Sequence, residues 1–128
     1  QGLFKYKNRS TGIASTAGKF ASAFARGAEV YKSIDTEFSK LLTKKAISAF
    51  NYGIENPGAC QTAPGTAPYF YEEDNWVDDM ELAAIELYRI TKDQTYLVHA
   101  IDFGRKEPVT PWIASEQPVA VSGFHLFK

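Results

Sequence analysis

The most constraining feature of the sequence is a series of alanines between residues 13 and 32, spaced three or four positions apart. This small-residue series comprises Ala14, Ala17, Ala21, Ala25 and Ala28. Residues at this spacing lie on one face of an α-helix, so the pattern predicts a helix over residues 13–32. Gly18 and Gly27 would each cost about 1 kcal/mol relative to alanine inside a helix. Their presence indicates that this helix packs tightly against its neighbours.

A second helix is predicted to follow after a short turn. Asp35 is of a type that accepts hydrogen bonds from the free N–H groups at a helix start, so we expect it to cap this helix. Asn56-Pro57-Gly58 should end it, because proline cannot continue a helix and glycine tolerates φ > 0. Two helices joined by a short turn form an αα-hairpin. The apolar stripe of the second helix comprises Phe38, Leu41, Leu42, Ala46, Ala49 and Phe50.

A second αα-hairpin is predicted further along the chain. Its first helix should run from near Asn75 to about Lys92, with Asp74 or Asn75 as its cap. Its second helix should run from Gln94 to Phe103, with Gly104 ending it. Acidic residues near the start of the first of these helices suit the positive end of the helix dipole, and they are Asp78, Asp79 and Glu81. The sequence therefore predicts an all-α fold built from helical hairpins.

Size and charge exclude several classes of function. A chain of 128 residues corresponds to one domain or to part of one. The net charge of −1 gives no electrostatic basis for binding nucleic acid or an anionic membrane. No apolar run approaches the ~20 residues that a membrane-spanning helix needs. There is no recognisable signal peptide, and the first residue is Gln1 rather than Met, so we expect either a removed leader or a longer parent protein.

The segment between the hairpins is the strongest candidate for a functional region. A proline- and glycine-rich loop over residues 58–68 leads into a stretch that is dense in aromatic and acidic residues. Ligand pockets favour aromatic side chains with a few placed polar groups, so the candidate ligand contacts are Tyr69, Tyr71, Trp76 and Trp112. The alternative for Trp76 is that it covers the end of the helix pair.

Several motifs occur along the chain in a characteristic order: Ser10–Ala21, Asn56-Pro57-Gly58, Tyr69–Tyr88, Asp93, Tyr96-Leu97 and Glu107–Trp112. In this order they resemble glycoside hydrolase family 9, a family of cellulases and related β-glucanases. The resemblance covers roughly residues 9–113, and the chain departs from the family pattern after Ile113. It implies a sugar substrate, whose flat C–H faces would pack on the aromatic side chains named above as ligand contacts.

This resemblance implies a fold and a reaction. The family fold is an (α/α) barrel of six helical hairpins, so the two hairpins would be a slice of it. Residues 1–113 would then be a partial catalytic domain, and residues 114–128 a divergent tail. The family reaction implies a cellulase-like hydrolase of β-1,4-glucans that degrades polysaccharide. No residue matches the family's Asp-Ala-Gly-Asp type motif or its acidic Glu, so the chain would be a fragment without that chemistry.

The resemblance also implies a structural calcium ion near the start of the third helix. The matching positions are Asp74, Asn75, Asp78 and Asp79. Calcium prefers six to eight oxygen ligands, so further ligands would have to come from elsewhere. The alternative is that these residues only cap the helix and complement its dipole.

Two alternatives to a barrel fragment remain open. One is a non-catalytic all-α module that binds carbohydrate or has a structural role. The other is a small independent glycosidase, for which the carboxylate candidates are Glu73, Asp78 and Glu81. For the fragment, the predicted partners are β-glucan or cello-oligosaccharide and further copies of the chain, through exposed apolar helix faces. The resemblance also implies a secreted or periplasmic location.

Overall fold

The computed structural model describes residues 10–61 and 73–108, which form two αα-hairpins. The first hairpin consists of α1 (Ala14–Tyr31) and α2 (Thr36–Glu55). The second consists of α3 (Val77–Thr91) and α4 (Gln94–Lys106). All four helices lie within a few residues of their predicted positions, and the described residues contain no strand.

Helix α1 is the centre of the arrangement, because it packs against both α2 and α3. Each alanine of its small-residue series is at most 5% exposed. A Cβ atom added at Gly18 would lie 2.7 Å from the backbone oxygen of Asp79 in α3. The backbones of α1 and α3 therefore approach each other more closely than a side chain would allow, as the sequence predicted.

The hydrophobic core runs between the two hairpins. Phe50 of α2 is 1% exposed, and its ring contacts those of Tyr96 and His99 in α4 at centroid distances of 5.5 Å. The buried face of α3 consists of Met80, Ala83, Ala84 and Leu87, each with no exposed surface. The predicted stripe of α2 is only partly buried, because Phe38 and Leu41 are 38% and 46% exposed.

The segment after α2 returns to the start of α1. Thr11 forms two hydrogen bonds with Ala59, donating its N–H and accepting at Oγ1. The Ser15 hydroxyl accepts from the N–H of Cys60 at 2.9 Å. Gly58 lies at φ 130°, which confirms that the end of α2 needs a glycine. The residues at the start of α1 therefore fix the position of the segment that follows α2 through these hydrogen bonds.

The helix ends differ from the predictions at two places. Asp35 accepts a hydrogen bond from Phe38 N at 3.0 Å, as predicted. The residue at the α3 N-cap position is Trp76, and the predicted cap Asn75 instead accepts from Val77 N at 3.1 Å. Gly104 does not end α4, which continues to Lys106. The glycine is buried, so packing against neighbouring residues keeps the helix intact at this position. Pro108 explains the actual end, since it disfavours helical geometry at the preceding residue.

None of the described helices is long and apolar enough to cross a membrane.

Candidate functional site

The start of α3 and the end of α4 meet at one end of the second hairpin. Trp76, directly before α3, packs edge-on against Phe103 in the last turns of α4, with ring centroids 6.0 Å apart. Trp76 is half-buried and packs on the hydrophobic core. It thus covers the end of the helix pair while keeping part of its surface accessible.

Three carboxyl groups converge at this end, and we call them the carboxyl cluster: Asp78, Glu81 and Glu107. Glu81 has no exposed surface. Within the described residues, neither of its carboxyl oxygens has a hydrogen-bond donor, and the same holds for Oδ1 of Asp78. Burying carboxyl groups without donors is costly, so the cluster is an unusual feature for a helix interior.

Glu107 shares these surroundings, and they make its carboxyl group harder to ionise. Burial, followed by the charges of Asp78 and Glu81, raises the pKa of Glu107 to about 7. A protonated Glu107 can donate a hydrogen bond to Glu81, whereas an ionised Glu107 cannot. Hydrogen bonding within the cluster therefore depends on where its protons lie.

The sequence prediction missed Glu107 as a site residue. It lies directly after α4, next to Pro108, far along the chain from the acidic stretch. Only the packing of α3 against α4 brings it to Glu81. No spacing pattern in the sequence indicates this proximity.

A second acidic group lies on the side of α3 that faces α1. The Lys19 ammonium group contacts the carboxylate of Glu73 and lies 3.5 Å from Oδ2 of Asp79. Burial and then the charge of Asp78 raise the pKa of Asp79 to about 6, although Lys19 acts in the opposite direction. The start of α3 is thus acidic on two sides, and among the residues that the structure describes a cation balances only the side facing α1.

The three catalytic candidates occupy different surroundings. Glu73 is paired with Lys19, Asp78 is half-buried, and Glu81 is enclosed. Their catalytic role stays a prediction. Among the predicted substrate contacts, only Trp76 lies within the described residues; Tyr69, Tyr71 and Trp112 lie outside them.

The predicted calcium ligands do not converge as placed. Asp79 faces Lys19, Asn75 Oδ1 accepts from Val77, and Asp74 is exposed. In residues 10–61 and 73–108, no group of three or more His, Cys, Asp or Glu is arranged to hold a metal ion. Calcium binding stays a prediction. Comparing the melting temperature with calcium chloride and with a chelator would test it.

The chemistry available at this end is that of a polar ligand surface with an aromatic face. The ring of Trp76 can take a flat apolar surface, and a neighbouring carboxyl group that is exposed, such as that of Asp74, can accept hydrogen bonds from hydroxyl groups. This combination suits a sugar better than it suits an anion, since the acids would repel negative charge.

Comparison with known proteins places this geometry in a family. A model of glycosyl hydrolase family 9 matches residues 1–121. Endoglucanase 15 of Arabidopsis thaliana is 31% identical over 102 residues, covering 77% of this chain and 21% of the relative. Endoglucanase 2 of the same plant is 32% identical over 95 residues, covering 74% of this chain and 18% of the relative. The chain therefore spans about one fifth of the length of these curated relatives.

A solved structure shows the same arrangement of helices. It is an endoglucanase from the termite Nasutitermes takasagoensis at pH 2.5, with a TM-score of 0.66 and 29% sequence identity. The match covers 73% of this chain and 22% of the termite chain. The predicted fold class is thereby confirmed: the two hairpins are a slice of an (α/α) six-hairpin barrel.

Proposed function

Because the chain belongs to glycosyl hydrolase family 9, we propose that it forms part of the catalytic domain of a hydrolase of β-1,4-glucans. The observation that carries this proposal is the family match over residues 1–121. The names of the relatives, which are endoglucanases, support glucan as the substrate class.

In this proposal the described residues line and support the substrate cleft, and the bond-breaking groups lie outside the chain. The half-buried Trp76 would offer its accessible surface to a sugar ring, while its edge-on contact with Phe103 supports the indole. Glu81 is too deeply enclosed to reach a glycosidic oxygen. The carboxylate of Glu73 forms an ion pair with Lys19 and is not paired with a second carboxyl group that could act as the acid. These placements favour substrate binding over an independent acid–base pair.

Release of reducing sugar tests the proposal directly. Purified chain and its Asp78→Asn variant are incubated with carboxymethyl-cellulose and with cello-oligosaccharides. We expect no release from either sample, because in this proposal the family's catalytic acids lie outside the chain. Release by the original chain that is lost in Asp78→Asn would instead establish an independent glycosidase at the acidic end of α3.

Binding separates substrate lining from a purely structural role. We expect cello-oligosaccharides to bind weakly, and Trp76→Phe to weaken binding because it reduces the aromatic face. Trp76→Phe keeps a ring against Phe103, so the fold is preserved. Binding that is absent in the original chain would contradict the glucan function and favour a structural module.

Self-association is the second part of the proposal. The groove between α1 and α2 has a volume of about 500 Å³ and is lined by apolar side chains such as Phe20 and Tyr52, which are 54% and 53% exposed. Apolar surface of this kind favours association of the isolated chain. Light scattering over a range of concentrations should reveal oligomers. A monodisperse monomer with a high melting temperature would contradict this part.

Secretion or a periplasmic location completes the proposal, and it rests on family membership alone.

A further inference from the structure

The backbone immediately before α3 is held by a side chain from a distant part of the chain. The carboxamide of Gln61 donates from Nε2 to the carbonyl oxygen of Glu73 and accepts at Oε1 from the Glu73 N–H at 3.0 Å. One side chain thus satisfies both backbone groups of Glu73, as a neighbouring strand would. This pairing restrains the peptide planes on both sides of Glu73.

Lys19 adds a second restraint from α1. Its ammonium group contacts the carboxylate of Glu73 and lies 3.5 Å from Oδ2 of Asp79. Glu73 and Asp79 stand three residues before and three residues after Trp76. The two carboxylate side chains are only 14% and 17% exposed, whereas the Lys19 side chain is 53% exposed, so water reaches these ion pairs mainly from the lysine side. Lys19 therefore ties both flanks of Trp76 to α1.

A residue of α4 also restrains the ring of Trp76. It packs edge-on against Phe103, with an angle of 76° between the ring planes. Asn75, its neighbour, accepts a hydrogen bond from Val77 N and so fixes the entry into α3. The position of Trp76 is thus determined by α1, by Gln61 and by α4 together.

We propose that Gln61 and Lys19 are positioning residues that hold Trp76 as a preformed platform for a pyranose ring of a β-glucan. The inference rests on the proposed function for the identity of the ligand. A side chain that is already ordered avoids the cost of becoming ordered on binding, about 0.5–1.5 kcal/mol. Loss of this order should weaken sugar binding by about 2- to 10-fold.

The test uses the fluorescence of Trp76 in a Trp112→Phe background, in which Trp76 is the remaining tryptophan of the two. Gln61→Leu removes both hydrogen bonds to Glu73 while keeping a similar side-chain size. Gln94→Leu is the matched control, because Gln94 is exposed and its amide reaches Tyr88 Oη only at 3.5 Å. Fluorescence anisotropy decay and acrylamide quenching are measured for each variant in this background. Cello-oligosaccharide affinity is measured in variants that keep Trp112, because Trp112 is itself a predicted substrate contact. All measurements are made below the melting temperature of each variant.

We expect Gln61→Leu to speed the anisotropy decay of Trp76, to increase quenching and to weaken binding, and Gln94→Leu to change none of these. Lys19→Met should have the same effect as Gln61→Leu, and Lys19→Arg should restore the original values because it keeps the charge. A merely structural role would lower the melting temperature without loosening Trp76.

Unchanged anisotropy and quenching in both Gln61→Leu and Lys19→Met would overturn the inference, whatever the glucan affinity. A failure of the proposed function has a different signature, since the original chain would then bind no cello-oligosaccharide at all. That result would overturn the platform role together with the glucan function, even if the two substitutions loosen Trp76.

Discussion

Two buried glutamates of α3, five positions apart, have opposite electrostatic surroundings. Glu86 is 6% exposed and is paired with Arg26 of α1 at 3.6 Å and with Arg89 at 3.3 Å. Glu81 has no exposed surface, and among the described residues it meets Asp78 and Glu107 rather than a cation. Within the described part of the chain, arginine side chains therefore compensate the charge of Glu86, whereas no cation compensates the carboxyl group of Glu81.

This difference separates structural acids from candidate functional acids. The pairing of Glu86 with Arg26 connects α3 to α1, and Arg89 extends the connection to Glu29 at 3.6 Å. Removing one partner of such a pair would leave the other charge uncompensated, and this costs stability. Within residues 10–61 and 73–108, the carboxyl oxygens of Glu81 have no such partner, and carboxyl groups with perturbed pKa values are common at functional sites. The contrast therefore favours the Glu81 end of α3 as the candidate site.

The largest expected effect concerns the helix contact at the Glu81 end. Gly18→Ala should destabilise the fold by about 2 kcal/mol, because the added methyl group meets the α3 backbone, which cannot move aside. Gly27→Ala, towards the Glu86 end, is the matched substitution. Its methyl group would lie 3.2 Å from Cδ1 of Leu42, a side chain that can shift. Chemical denaturation should show a loss only for Gly18→Ala; equal losses would contradict the difference in packing.

The second prediction is a gain in folding stability rather than a loss. Glu81→Gln should stabilise the fold by about 1–2 kcal/mol, because it removes one buried carboxyl group and supplies an amide that can donate to Glu107. Glu55→Gln, at an exposed position, serves as the control. Urea denaturation at pH 7.5 measures both. A loss of stability in Glu81→Gln would mean that a cation we have not identified compensates the cluster.

Glu86→Gln should destabilise the fold by about 1 kcal/mol, because Arg26 and Arg89 lose a charged partner. The loss is smaller than for a fully enclosed ion pair, since the arginine side chains are 60% and 44% exposed and stay hydrated. The same denaturation measurement applies. If Glu81→Gln and Glu86→Gln shift stability in the same direction, the contrast between the two ends is wrong.

The smallest expected effect is the pH dependence of stability. The pKa values of Glu107 and Asp79 rise in the folded state to about 7 and about 6, from ordinary values of 4.5 and 3.8. Between these values the folded chain binds more protons than the unfolded chain, so stability should fall as the pH rises from about 4 to 7. Both groups are partly exposed, and solvent screening reduces the loss to roughly 1 kcal/mol.

Glu107→Gln isolates the contribution of the carboxyl cluster. Its stability should decline less than that of the original chain across the same pH range, because the glutamine does not titrate. Urea denaturation midpoints at pH 4.5, 6 and 7.5 provide the comparison. Parallel curves for the two proteins would show that Glu107 contributes nothing to the pH dependence.

Helix periodicity and helix-end residues were sufficient to predict the two hairpins. Alanine spacing predicted α1, and Asp35 and Pro57 predicted the bounds of α2. These signals are local, since they depend on residues within a few turns of each other. Gly104 was misread for the same reason: a glycine near a helix end is a common stop signal, and only burial against a neighbour keeps the helix intact there.

The candidate site was predicted only in part. The acidic start of α3 and Trp76 were recognised from residue types alone. Which acids are compensated could not be recognised, because Lys19 reaches Asp79 across 60 positions of sequence. The hydrogen bonds between Gln61 and the backbone of Glu73 could not be recognised from the sequence either, because they also depend on the tertiary structure.

The sequence by itself therefore determined the helices, their pairing into hairpins and the family to which the chain belongs. These depend on periodic burial, helix-end chemistry and ordered motifs that can be read along the chain. The tertiary structure decided which charges meet: Glu81 with Glu107, Glu86 with Arg26, and Lys19 with Glu73. Electrostatic interactions depend on distance and burial in three dimensions, and neither quantity follows from spacing in the sequence.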